Sequence, residues 1–197
     1  MGTCAAMFTL SRVGLSRAVS VMTLTVLAPT FVAVVPAPAT PSPSVLAAPS
    51  AVVFQRINAI RVSDHLPAGL ATSAYGAQVR QALRTGQDPP FVRAVAGIVA
   101  EESLWGEVPA SGVNPPSPAS VVNAWVFHDG WRGSLALTWN ADCVSPTAPG
   151  CNGHRRAVLS RPPVPGARLY LDVATKNVTI NGSPAVAVAT LMVWKLP

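Results

Sequence analysis

Arg168-Leu-Tyr-Leu-Asp-Val-Ala174, then Asn181-Gly182, then Ala185-Val-Ala-Val-Ala-Thr-Leu-Met-Val-Trp194 is the stretch that decides the architecture. Residues 168–174 alternate as a strand does. Asn-Gly suits a two-residue hairpin turn, because both residues tolerate positive φ. Residues 185–194 form a long apolar run rich in valine, so the C-terminal end is expected to be an antiparallel hairpin. Upstream, the apolar spacing changes to that of helices. Val53, Phe54, Ile57 and Ile60, with Arg56 and Arg61 between them, predict a helix over residues 51–62 with one buried face. A second helix fits residues 73–83, capped by Thr72 or Ser73, with Ala74, Ala77, Ala82 and Leu83 as packing residues and with Gly86, Asp88 and two prolines ending it. The short apolar run 91–99 suits either helix or strand. Ser117-Pro118 opens a further helix that runs through Val121, Val122, Trp125 and Val126 and stops at Asp129-Gly130. Helices first and strands late, without an internal repeat, predict an α+β layered domain.

Composition narrows the function classes. The 197 residues are 50% hydrophobic and 11% charged, with 20 Pro and 14 Gly, which is the reverse of a disordered chain. The net charge is +6, and without Arg12 and Arg17 the remainder holds 12 bases against 8 acids, a net +4. A surplus so thinly spread argues against nucleic-acid binding. Arg12 and Arg17 precede an uncharged apolar run, residues 18–35, which ends in Pro36-Ala-Pro-Ala39. Residues 1–39 therefore read as a secretory signal with an Ala37-x-Ala39 cleavage site; if it is not cleaved, the same run is a membrane anchor. Residues 40–50 have the Pro/Ala/Ser composition of an extended linker. The folded domain is expected over residues 51–197, secreted or associated with the cell envelope. In an oxidising compartment, Cys143 and Cys151 are read as a disulfide closing a Pro- and Gly-containing loop, worth about 2 to 3 kcal/mol by loop-closure entropy. Cys4 precedes the apolar run and is expected to be discarded with the leader.

The histidines are the first place to look for chemistry near neutral pH. His65 lies in a loop next to Asp64. His128 follows Trp125 in the last turn of its helix, where an imidazolium would favour the helix dipole. His154 follows Cys151-Asn-Gly153, so a covalent staple immediately upstream would fix its approach. No serine sits in a Gly-x-Ser-x-Gly elbow; Ser103, Ser134 and Ser160 offer no activated nucleophile. Trp125 and Trp194 are expected in the core, while Trp131 and Trp139 either pack or face outward toward a lipid, glycan or protein. An Asn177-Val-Thr179 sequon carries little weight in a chain whose Ala, Pro, Val and Arg bias suggests a bacterial source.

Gly153-His-Arg-Arg-Ala-Val-Leu159 resembles the GHR-x-x-[IV]-L signature of the CAP superfamily, the SCP/PR-1-like secreted proteins. Further segments agree in order. Glu101-Glu-Ser-Leu-Trp-Gly106 is similar to a degenerate GEN-x-x-x-G element, residues 125–130 to the family's tryptophan helix, and residues 140–151 to the disulfide loop of bacterial members. The resemblance implies a three-layer α-β-α sandwich with a central antiparallel sheet and a shallow cleft that in many members holds a divalent metal on two His and two Glu. His154 matches the second family histidine, Glu101 or Glu102 the first glutamate, and His128, with Asp129 beside it, the second glutamate. The first histidine should fall in residues 73–83, where only Gln78 and Gln81 occur. Amides are poor zinc donors, so a site of His154, His128 and Glu101 is the most that remains. The expectation is a non-catalytic domain, without a cofactor, whose cleft binds a lipid or a cell-wall or host protein. The alternative is a metal-assisted, peptidase-like hydrolase using His154, His128 and Glu101 or Glu102.

Overall fold

A computed structural model describes residues 46–92, 95–110 and 116–197. The leader over residues 1–39 and the linker as far as Val45 lie outside the described residues, and so do Arg93 and Ala94 of the run 91–99.

Helix α1, Ala48–Ser63, starts three residues before the expected domain boundary, with Pro49 in its first turn where no amide partner is lost. Val53, Phe54, Ile57 and Ile60 are buried as their spacing predicts. Arg61 is buried too. Its Nε donates to Pro67 O at 3.0 Å and its Nη1 to Val158 O at 2.6 Å, while the guanidinium lies 5.4 Å from the centre of the Trp194 ring. Burial pushes its pKa down to about 10, which leaves it charged at neutral pH.

Two residues, Leu70–Ala71, form β1. Helix α2, Gly76–Thr85, begins later than residue 73 because Ser73 and Ala74 are used in a turn; its side chains supply no cap, and Tyr75 N instead donates to Asp172 Oδ2 at 2.8 Å. Gly76, Val79 and Ala82 are its buried residues, whereas Ala74 and Ala77 are exposed. Gly86 ends it in the left-handed conformation, φ 66°. Strand β2 spans Ile98–Pro109. Helix α3, Ala119–Asn123, passes into a π-helical turn, Ala124–His128, so the expected single helix is present but its last turn is widened. Helix α4, Gly153–Val158, follows the cystine loop.

Strands β3, Arg168–Ile180, and β4, Ser183–Lys195, form the expected hairpin, with Asn181 at φ 49° and Gly182 at φ 80° in the turn. The sheet order is β1-β3-β4-β2. It is mixed rather than antiparallel throughout, because β1 pairs in parallel with Tyr170 and Leu171. Strand β4 is paired along its length on both edges and packed on both faces, and the packing accounts for its continuous apolar sequence. Val186, Val188, Met192 and Trp194 join one apolar cluster with α1, the α3 segment and α4; the intervening Ala189, Leu191 and Val193 join a second with α2. The observed class is α+β.

Candidate functional site

Strand β2 is the free edge of the sheet, and the backbone of Trp105 on it binds two loops. Its N–H faces the Asp88 carboxyl, just beyond α2, and favours the ionised form, and its carbonyl accepts a hydrogen bond from His154 Nε2 at 3.2 Å. That bond fixes a proton on Nε2, since a carbonyl only accepts. The other ring nitrogen, Nδ1, is buried 3.8 Å from Asp129 Oδ1 and makes no hydrogen bond among the described residues. Trp125 stacks parallel to the imidazole at 6.0 Å, and Trp139 meets it edge-on at 5.5 Å.

Asp129 organises this corner. Its oxygens accept Asn140 Nδ2–H at 2.7 Å and Arg155 N–H at 3.0 Å. Asn152 caps nothing with its side chain, so the carboxylate from the end of the π-helical turn satisfies an amide of the first turn of α4, at the positive end of that helix. Burial opposes ionisation of Asp129, but His154, the Arg155 amide and Asn140 together outweigh it and hold the pKa below the usual carboxylate range.

The expected disulfide joins Cys143 to Cys151, both buried. Arg156 reinforces it by donating to Cys151 O at 2.7 Å and Pro149 O at 2.8 Å. Asn140 reaches Gly150 O at 3.0 Å and accepts Asp142 N–H at 2.9 Å, which ties the two ends of the loop together. Gly106 has a spatial role: a Cβ there would lie 2.6 Å from Trp125 Nε1 and 3.1 Å from the Trp139 ring. This glycine is the place where two indoles press on the edge strand.

Two adjoining cavities, of about 260 and 400 Å³, share His154, Asn140, Asp88 and Asp142. Glu102 and Arg156 line the first; Trp105, Trp139 and Glu107 line the second. Burial pushes the Glu102 carboxyl up, with Arg156 opposing. Burial also pushes Asp88 up, opposed by His154 and the Trp105 amide and increased by Asp142.

The sequence candidates divide. His154, Asp129 and Glu102 come together. Glu101 projects to the opposite face of β2, as consecutive strand residues must, and its Oε1 accepts Val92 N–H at 2.7 Å. His128 is exposed, and its Nδ1 lies 2.9 Å from Arg132 Nη2 in a different groove. The carboxylate that meets His154 is thus Asp129, not either glutamate. His154, His128 and Glu101 do not fit around one zinc ion, and no group of three or more His, Cys, Asp or Glu suited to a metal occurs among the described residues. Trp139 packs against the core cluster as well as His154, and Trp131 is half-buried. Asp88 and the Trp105 backbone were not legible as site groups; the only signal was Asp88 within a helix-ending Gly-x-Asp-Pro sequence. No protein-family model, curated protein or solved structure matches this chain.

Proposed function

We propose that this is an exported CAP-like domain that binds an extracellular protein through the cleft beside His154 and performs no catalysis. The order of the sequence motifs supports the family, and the placement of α2 against one apolar cluster and of the other helices against the second supports its three-layer sandwich. The observation that carries the binding reading is the cleft wall. Asp88, Glu102, Glu107 and Asp142, four of the eight acids of a net-basic chain, line the two cavities with Trp105 and Trp139. Carboxylates beside indoles suit a lysine or arginine side chain, by charge and by cation–π contact. They do not suit an acyl chain, which would strip water from carboxylates. His154 supports a non-catalytic role: Nε2–H is bound to a carbonyl and Nδ1 is buried against Asp129, so the ring presents no base to a nucleophile in the cleft.

Calorimetric titration with an oligolysine peptide, an oligoglutamate peptide and a fatty acid tests this. Only the first should bind, weakening as salt rises and by about tenfold in Asp88→Asn combined with Asp142→Asn. Equal binding of the fatty acid, or binding unchanged in the double variant, would refute it. One zinc retained per chain, together with a hydrolytic rate lost in His154→Ala, would favour a metal-assisted hydrolase instead.

A further inference from the structure

Beyond the cleft, on the far side of Trp139, three large apolar side chains stand out of the surface close together in sequence. Phe127 is 56% exposed at the end of the π-helical turn, and Leu135 and Leu137 are 56% and 67% exposed in the turn that follows. Arg132 ties these pieces together. Its Nη2 reaches Phe127 O at 3.3 Å and His128 Nδ1 at 2.9 Å, and its backbone N–H donates to Thr138 Oγ1 at 3.1 Å. The turn is closed beneath the leucines by Thr138 N–H donating to Ser134 O and Leu135 O. Arg56, held by Asn123 Oδ1 at 2.8 Å, places its guanidinium 5.9 Å from the centre of the Phe127 ring. Between Pro116 and Asn140 the only acid is Asp129, whose side chain is fully buried. Apolar tips therefore project from a base that carries Arg56 and Arg132 with no exposed carboxylate in the segment.

We propose that this surface docks on an anionic lipid bilayer, with Phe127, Leu135 and Leu137 entering the headgroup region and Arg56 and Arg132 meeting lipid phosphates. Interfacial anchors combine a modest apolar insertion with basic side chains that keep their charge at headgroup depth, and this is the combination present. A protein partner would be expected to meet a flatter patch with closer shape complementarity; separate tips on a turn gain by entering a deformable medium. The surface is separate from the acidic cleft, so this inference and the cleft reading fail independently.

Hydrogen exchange of the full chain, followed by mass spectrometry, reads the surface locally whatever the N-terminal segment does. Phosphatidylglycerol-containing vesicles should slow exchange across residues 127–138, while pure phosphatidylcholine vesicles should not. Leu135→Gln combined with Leu137→Gln, both at exposed positions, should retain the wild-type unfolding transition and raise the lipid concentration for half-protection about tenfold or more. Arg56→Gln should reduce the preference for the anionic vesicles. Protection unchanged in the double variant, equal protection on both vesicle types, or the same protection at high protein concentration without lipid would overturn the proposal, the last by assigning the surface to self-association.

Discussion

Replacing Asp129 by Asn keeps shape and volume and removes one charge, which isolates what that carboxylate does. In the wild type it accepts Asn140 Nδ2–H at 2.7 Å and Arg155 N–H at 3.0 Å, with His154 Nδ1 at 3.8 Å. An amide has one oxygen and one NH₂ group, so one of those two donors is left facing another donor. A buried donor without a partner costs about 1 to 3 kcal/mol, and losing charge from the remaining bond costs about 1 kcal/mol more. Against this stands relief from burying a carboxylate, but the lowered pKa of Asp129 says that its partners outweigh burial. Asp129→Asn should therefore destabilise the oxidised protein by about 2 to 4 kcal/mol at neutral pH. The sign with pH follows from the same shift. A carboxyl whose folded pKa is depressed contributes its stabilisation above its unfolded value, about 3.9, and loses it as pH falls through the lower folded value. Protonated Asp129 is then nearly equivalent to Asn, so the two denaturation free energies should converge as pH falls below the depressed folded value. Guanidinium unfolding at stepped pH values measures this gap. A gap below about 1 kcal/mol at pH 7, or one that stays constant on acidification, would refute the role given to Asp129.

Gly106→Ala places a methyl 2.6 Å from Trp125 Nε1 and 3.1 Å from Trp139, both around His154. It should cost about 1 to 3 kcal/mol by overpacking and shift the tryptophan emission, as equilibrium unfolding and fluorescence would show. Arg61→Lys keeps a charge but cannot reach Pro67 O and Val158 O as a fork or lie flat near Trp194; it should lower stability by about 2 to 4 kcal/mol in thermal melts.

What the sequence disclosed of the fold followed from signals that are local. The β3–β4 hairpin was legible because Asn181-Gly182 encodes its own turn, and the buried face of α1 because four apolar residues recur at helical spacing. Strand β2 was not, because Glu101-Glu102, Ser103 and Gly106 are poor strand residues whose places are set by pairing with Val188 to Val193. Strand β1 was hidden by its length, two residues between loop signals, and it is what makes the sheet mixed. The cap of α2 was misread for a related reason, and none was read for α4. The start of α2 is held by Asp172, 97 residues away, and α4 by Asp129, 26 residues away, whereas capping rules look a few residues upstream.

The same distinction between local and distant partners explains the site. His154 could be singled out because the cystine, Asn152 and Gly153 immediately before it impose its direction. Its acidic partner could not be chosen among Glu101, Glu102 and Asp129 without knowing that β2 turns Glu101 to the other face and that the π-helical turn ends with Asp129 pointing inward. Once Asp129 occupies that position, an imidazole between it and the Trp105 carbonyl has both nitrogens directed at acceptors. Two indoles flank its ring, and Asp88, Glu107 and Asp142 line the cavity beside it. A histidine held in this way is a structural pivot joining edge strand, cystine loop and α4. The chemistry that remains accessible to a partner is the negative charge and aromatic surface around it. This is the basis on which we propose recognition of a cationic side chain rather than transfer of a proton.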